Sequence, residues 1–348
     1  MSEVRLAQRR GHEFTAILGL GDFRPAHVVP NSEIVEAIDS SDEWIRDRSG
    51  IAARRLATAE ETVVTMSATA ARAALDDAGI TAEDVDLVVV ASITHPWQTP
   101  AAAPMVAHAV GAHRAAAYDL GAACAGFCYG VAVADDAVRA GSARHVLVVG
   151  TEKFSDFRDP HDRTTAFIFG DGAAAAVVGP SDSPGISASF LGADGAGAGQ
   201  IAQTRDWTQV RHDWETMRDS GVVPDDLAPF PSIGMEGPAV FRWAVTHVAA
   251  VAADVLATAG ITADDLDVFV PHQANVRIID AMVKRMHLPD HVVVARDDLV
   301  DMANTSAASV PLALTRLRRE GRARSGDLAL LLGFGAGLAW AGQVVRVP

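Results

Sequence analysis

The sequence predicts an α/β fold built from two similar halves and stacked in five layers, α-β-α-β-α. Three observations carry that reading. The nine residues AGITAEDVD at Ala78–Asp86 return as AGITADDLD at Ala259–Asp267, identical at seven positions, with Gly79 and Gly260 lying 181 residues apart. Each copy follows an alanine-rich helical stretch and precedes a short β-rich run, LVVVAS or VFVPHQ. The apolar runs are continuous rather than alternating, as in strands covered by helices on both faces.

Along the chain, the opening MSEVRLAQRRGHEF is charged and has no apolar segment, so it is not a secretory signal. Residues 1–13 are expected to be a flexible extension, 14–180 the first half and 181–348 the second. RAAAYDL reads as a buried strand. CAGFCYGVAVADDAVRAG reads as a helix, with Phe127, Val131, Ala134 and Val138 at three- and four-residue steps and Gly141 as its stop. HVLVVG and GDGAAAAVVG read as further strands. Gly179–Pro231, rich in Gly, Pro, Asp and Ser and containing the polar piece TRDWTQVRHDWETMRDS, reads as a linker with surface loops bordering a substrate channel. HVVVA and LALLLGFGAGLAW close the second half; the latter is too short and glycine-rich to cross a bilayer and reads as strand, turn and strand.

Composition narrows the function. With 49% apolar and 21% charged residues the chain has an ordinary soluble make-up, and a cytoplasmic protein without membrane association is expected. A net charge of −15 gives no broad basic field for nucleic acid. Two cysteines four positions apart form neither a disulfide framework nor a zinc motif, and no His/Cys/Asp cluster has metal spacing. GLGDF and GADGAGAG lack the full dinucleotide fingerprint.

Three residues suggest chemistry. Cys124, in DLGAACAGFCYG, falls where a strand becomes a helix. Free amides and the macrodipole there are expected to lower its thiol pKa from about 8.5 towards neutrality. Taken alone, the same cysteine also reads as a small buried hydrophobe, and Cys128, one turn on, reads as packing. His272 follows the strand in DVFVPHQANVRIIDAM. Asn304 precedes a helix in DMANTSAASVPLAL, with Ser306 as its expected cap.

Together DLGAACAGF, VPHQANVRII, NTSAAS and GFGAGLAW, with SSDEWIRDRSGIAARRLA near the start, resemble the type III β-ketoacyl-acyl-carrier-protein synthases, condensing enzymes of the thiolase superfamily. The resemblance runs from about Phe14 to the last residues. It implies a thiolase-like fold and two half-reactions. Cys124 takes a short acyl group from acyl-CoA. Malonyl on acyl carrier protein (ACP) then loses CO₂, and the resulting enolate attacks the acyl group. His272 and Asn304 would donate hydrogen bonds to the enolate oxygen, and the N–H groups of Cys124 and Ala336 would form the oxyanion hole; relatives often have Gly at the latter position.

For the CoA and its pantetheine arm, the resemblance implies Trp44 and Arg163 around adenine, Arg48 near the phosphates, Asn275 on the arm and Phe241 along the tunnel. Pro238 stands where many relatives have Asn. A homodimer is implied, with the loop of Thr99 closing the partner's acyl pocket. Some relatives place Phe there, so the smaller Thr99 is expected to admit branched or longer acyl groups. The acidic ACP would dock on a basic edge of Arg277, Lys284 and Arg285, with Arg242 beside it, whereas TRLRREGRAR reads as a solvated helix end. No permanently bound cofactor is implied.

Other readings remain open at this stage. A biosynthetic thiolase would need a second cysteine near the carboxyl end, and none follows Cys128; a hydroxymethylglutaryl-CoA synthase would need a catalytic glutamate, and none lies in a comparable motif. An acyltransferase on the same scaffold would pass the acyl group to a hydroxyl, amine or carrier protein. Such relatives tend to lose the asparagine. A non-catalytic dimer partner would have no use for the three polar residues.

Overall fold

The computed structural model describes residues 9–222 and 230–348. β1 (Phe14–Phe23) is followed by a short antiparallel pair, β2 (Val28–Pro30) and β3 (Ala53–Arg55), with α1 (Asp42–Ser49) between them. α2 (Val63–Ala78), β4 (Leu87–Ala91), α3 (Ala102–Val110), β5 (Ala116–Leu120), α4 (Gly126–Arg139), β6 (Val146–Glu152) and β7 (Gly172–Ser181) complete the first sheet and its helices. After β8 (Phe190–Ala193) come a small hairpin of β9 (Ile201–Gln203) and β10 (Ile233–Met235) with α5 (Trp207–Ser220) between its strands. Then follow α6 (Gly237–Trp243), α7 (Ala249–Ala259), β11 (Val268–Pro271), α8 (Val276–Met286), β12 (Val293–Val294), α9 (Asp297–Met302), α10 (Ser309–Arg319), β13 (Leu328–Gly335) and β14 (Ala339–Arg346).

The sheets run β1-β7-β6-β4-β5 and β8-β14-β13-β11-β12, each with two antiparallel pairings followed by two parallel ones. The repeated nonapeptide encodes the corner that makes them alike. α2 ends on Gly79 at φ 67° and α7 on Gly260 at φ 72°, a left-handed conformation that favours glycine. Thr81 with Asp84, and Thr262 with Asp265, then form matching capping boxes before β4 and β11.

α4 and α10 lie between the sheets and share one core, in which Phe127, Val131, Val310 and Leu314 pack with Val148 and Leu331. α2 and α3 cover the outer face of the first sheet, and α7 and α8 that of the second. This is the thiolase-like five-layer fold. The stretch 237–259 is apolar enough to cross a bilayer by length and composition, but its buried residues Val248, Val251, Val255 and Leu256 pack in the core over the second sheet.

Three expectations need revision. RAAAYDL forms β5, an edge strand that leaves Tyr118 42% exposed; apolar content did not mean burial because only β4 pairs with it. TRDWTQVRHDWETMRDS is not loop but mostly α5, whose start is capped by Asp206 with Gln209 and whose end is Gly221 at φ 67°. Residues 223–229 of that region, and residues 1–8 of the amino-terminal extension, lie outside the described residues. The described part of the extension bonds to the end of α4, through Arg9 to the Ser142 carbonyl and His12 N–H to the Val138 carbonyl. TRLRREGRAR is no merely solvated helix end. Arg316 pairs with Asp298 and Asp301, Arg318 with Asp77 and Arg322 with Asp297, so that the Arg318 pair links α10 to α2.

Candidate active site

β5 leads into a tight elbow. Ala123 is held at φ +45°, a left-handed conformation costly for any residue with a Cβ, and Ala123–Ala125 form a 3₁₀ turn before α4 starts. The bend puts Cys124 at the mouth of α4, 8% exposed. β13 passes close by. A Cβ on Gly335 would lie 2.9 Å from the Cys124 sulfur, so a glycine is required there. The backbone N–H groups of Cys124 and Ala336 both interact with that sulfur.

The expected acidic thiol is not found. Burial pushes Cys124 up to about 12, and the nearby Ser306 hydroxyl and the two backbone amides only partly offset it. Charge on Glu152 raises it further. The reason is that Cys124 sits under the elbow rather than on an open helix end, so desolvation outweighs the macrodipole. The resting group is a thiol. Cys128 is likewise raised to about 12 by burial, and it packs in the core between the sheets.

His272 follows β11 directly and is 2% exposed. Burial lowers it to about 3, so the imidazole is neutral at physiological pH. Its Nδ1 lies 2.7 Å from Ser309 Oγ, which also accepts the Gln273 N–H at 3.3 Å. The Ser309 hydroxyl can donate to Nδ1 while accepting the Gln273 N–H, and with that donation the ring hydrogen sits on Nε2. Phe334 packs edge-on, 5.3 Å between ring centres, and holds the ring plane.

Asn304 is tied to the first half by its backbone N–H, which donates to the Ile168 carbonyl at 2.9 Å. Its Oδ1 accepts the Ser306 N–H at 2.8 Å, leaving the NH₂ group without an intramolecular acceptor. Ser306 is therefore not the cap expected from the sequence. It sits at φ +46° as the first residue of a 3₁₀ turn, with its own N–H taken by Asn304 Oδ1.

Cys124, His272 and Asn304 all line one cavity of about 740 Å³. Trp44, Arg48 and Arg163 lie in its wall, both guanidinium carbons 5.5 Å from the centre of the indole. Asn275, Phe241, Arg242, Pro238 and Arg277 line it as well. Asn275 is already engaged: it caps α8 by accepting the Arg277 N–H and donates to the Arg48 carbonyl at 2.8 Å, leaving one amide hydrogen for a ligand. Pro238 lies in the first turn of α6, where it costs the helix nothing, and the amide a side chain there could offer is absent.

Lys284 and Arg285 are exposed farther along α8 and do not line the cavity. Thr99 is exposed on the loop between β4 and α3 and lies outside its own chain's cavity. Sequence reasoning missed Ser309, Phe334 and Gly335. Their signal lay in NTSAAS, whose second serine falls three residues after the first, and in the glycine spacing of GFGAG. Among the described residues no group of three or more His, Cys, Asp or Glu side chains is placed to hold a metal ion.

Fold and cavity together define the class: a thiolase-like acyltransferase of the condensing type. Residues 118–209 match the family described as 3-oxoacyl-[acyl-carrier-protein (ACP)] synthase III, and residues 256–347 match its C-terminal part. The chain belongs to that family. It is 52% identical to β-ketoacyl-[acyl-carrier-protein] synthase III 1 of Streptomyces avermitilis, across 100% of both chains. Among solved structures it resembles the priming β-ketosynthase of the R1128 polyketide pathway, at TM-score 0.92 and 46% identity over 100% of this chain and 99% of that one. It also resembles 3-oxoacyl-[acyl-carrier-protein] synthase III of Aquifex aeolicus, at TM-score 0.84 and 35% identity over 95% and 99%.

Proposed function

We propose that this chain accepts a short acyl group from acyl-CoA on Cys124 and condenses it with malonyl-ACP to give 3-ketoacyl-ACP, the opening step of a fatty-acid or polyketide chain. The observation that supports this most is the shared cavity, which a thiol, a neutral imidazole and a carboxamide all line. Attack by Cys124 on the thioester carbon forms a C–S bond and expels the CoA thiolate. The backbone amides of Cys124 and Ala336, which lie against the Cys124 sulfur, would take the negative oxygen of the tetrahedral intermediate.

In the second half-reaction His272 Nε2–H and Asn304 NH₂ donate to the thioester oxygen as CO₂ leaves. Each such donor contributes about 3–4 kcal/mol. Neither needs to exchange a proton at this step; His272 is held neutral and Asn304 has no acidic group. Trp44 and Arg163 would sandwich the adenine, Arg48 would meet the phosphates, and Phe241 would line the arm's path with Asn275 at its side. Arg242, Arg277, Lys284 and Arg285 form the face offered to the acidic carrier.

In this reading the working unit is a cytoplasmic homodimer, with Thr99 closing the partner's acyl pocket. The halves divide at 180/181, behind an extension ending at residue 13. No permanently bound cofactor is needed, because acyl-CoA and malonyl-ACP supply all reacting groups. Product analysis with malonyl-ACP and a panel of acyl-CoAs tests the proposal. Stoichiometric CoA, CO₂ and 3-ketoacyl-ACP are expected, with kcat/KM for isobutyryl-CoA at or above that for acetyl-CoA. Transfer of the acyl group to a hydroxyl, amine or carrier without CO₂ release would assign the chain to the non-condensing acyltransferases instead.

A further inference from the structure

Glu152 ends β6 fully buried, and the half-reactions above leave it without a role. Its Oε2 accepts from Thr94 Oγ1 at 2.7 Å, the Ile93 N–H at 3.1 Å and Ser92 Oγ at 3.2 Å. Among the described residues its Oε1 has no hydrogen-bond partner. The turn Ser306–Ala308 packs against both the Cys124 elbow and β6, and among the described residues the buried Ser306 Oγ has no hydrogen-bond partner, which leaves it free to bridge the Cys124 sulfur and Glu152.

The symmetry of the sheets explains why a carboxylate can stand there. By register, β6 Glu152 corresponds to β13 Gly335. At Gly335 a Cβ would strike Cys124, so only the β6 position has room for a side chain. Burying an acid costs several kcal/mol unless it is neutral or well bonded, and here one oxygen is left without a partner among the described residues.

We infer that Glu152, acting through the Ser306 hydroxyl, receives the Cys124 proton during acylation and returns it to the departing CoA. The inference rests on the acyl-cysteine reading above. As Sγ attacks the thioester carbon, the S–H bond breaks and its proton passes to Ser306 Oγ, whose own proton passes to Glu152 Oε1. The C–S bond to CoA then breaks with its electron pair on the CoA sulfur, and the proton travels back to that thiolate. Cys124 ends as a thioester, CoA as a thiol and Glu152 as a carboxylate.

Other titratable groups nearby are committed elsewhere. Lys153 donates to the Thr58 carbonyl and pairs with Asp156; Asp171 accepts the Ala57 and Ser155 N–H groups. His95 faces the Pro100 carbonyl, and His272 is bonded to Ser309. Burial raises Glu152 to about 7, which sets it to change between acceptor and donor at physiological pH.

The test is the burst of CoA released from isobutyryl-CoA by full-length wild type, E152Q and S306A, followed from about pH 5.5 to about pH 9. Wild type should show acylation rising through an inflection near 7. E152Q should lose that inflection and acylate roughly 10- to 100-fold more slowly at neutral pH. S306A should lose it too. CO₂ release from malonyl-ACP by pre-acylated enzyme should stay within about threefold of wild type in both variants, which a merely structural lesion would not spare. Retention of the wild-type rate and inflection by S306A, or by a folded E152Q, overturns the relay alone. Failure of wild type to release CoA overturns the underlying reading.

Discussion

At the start of α4, Ala123 at φ +45° leads into Cys124; at the start of α10, Ser306 at φ +46° leads into Ala307. The two elbows are equivalent in the duplicated fold, yet their surroundings are complementary. The first has Gly121, Ala91 and Gly126 where the second has Asn304, His272 and Ser309. Around the first elbow everything but the sulfur is stripped down; a Cβ on Gly126 would come within 2.8 Å of Ala91. The second carries the hydrogen-bonding groups and no nucleophile, and Ala307 is fully buried against β6. Strained backbone was kept in both halves, while the chemistry was divided between them.

The sharpest way to break this comparison is to move the sulfur. C124A/A307C should form no acyl adduct, because Ala307 has no face on the cavity; an adduct at position 307 would show the elbows to be interchangeable. Next in size, N304A should lower the decarboxylative step roughly 10²- to 10³-fold while CoA release from acyl-CoA stays within about tenfold of wild type. Single-turnover assays of each half-reaction measure the split. Equal loss in both would mean that the second elbow also serves acylation.

W44A removes the surface between two guanidinium groups. Its KM for acyl-CoA should rise about tenfold with kcat little changed, as for a group that binds ground state and transition state alike. The smallest effect is in stability. His272 has a folded pKa depressed to about 3, so its contribution is present above the unfolded value of about 6.5 and is lost as pH falls through that window. Glu152 has a raised folded pKa of about 7, so its contribution is lost as pH rises from about 4.5 through 7. Urea titrations should show H272A flattening the acid limb and E152Q flattening the neutral one.

The layers were legible because the nonapeptide spells out a left-handed glycine, a capping box and a strand start twice. The three cavity residues were legible as short polar breaks between apolar runs and helices. The electrostatics were not. A helix start announces its dipole in the sequence, but the depth of Cys124 depends on β13 crossing above it, and β13 is some 200 residues away. The same holds for Glu152, a lone acid at the end of an apolar strand whose facing serine comes from the other half. α5 was hidden by its overall polarity: Trp207, Val210, Trp214 and Met217 recur at helical spacing, but they stand among charged residues and none is buried.

The most direct test of the central claim is the intact mass of the protein after incubation with isobutyryl-CoA and then with malonyl-ACP, beside C124A. Wild type should gain one acyl group per chain and C124A none, and the group should be lost with CO₂ release when malonyl-ACP is added. An adduct of the same mass on C124A, or a wild-type adduct that malonyl-ACP leaves in place, would contradict that claim.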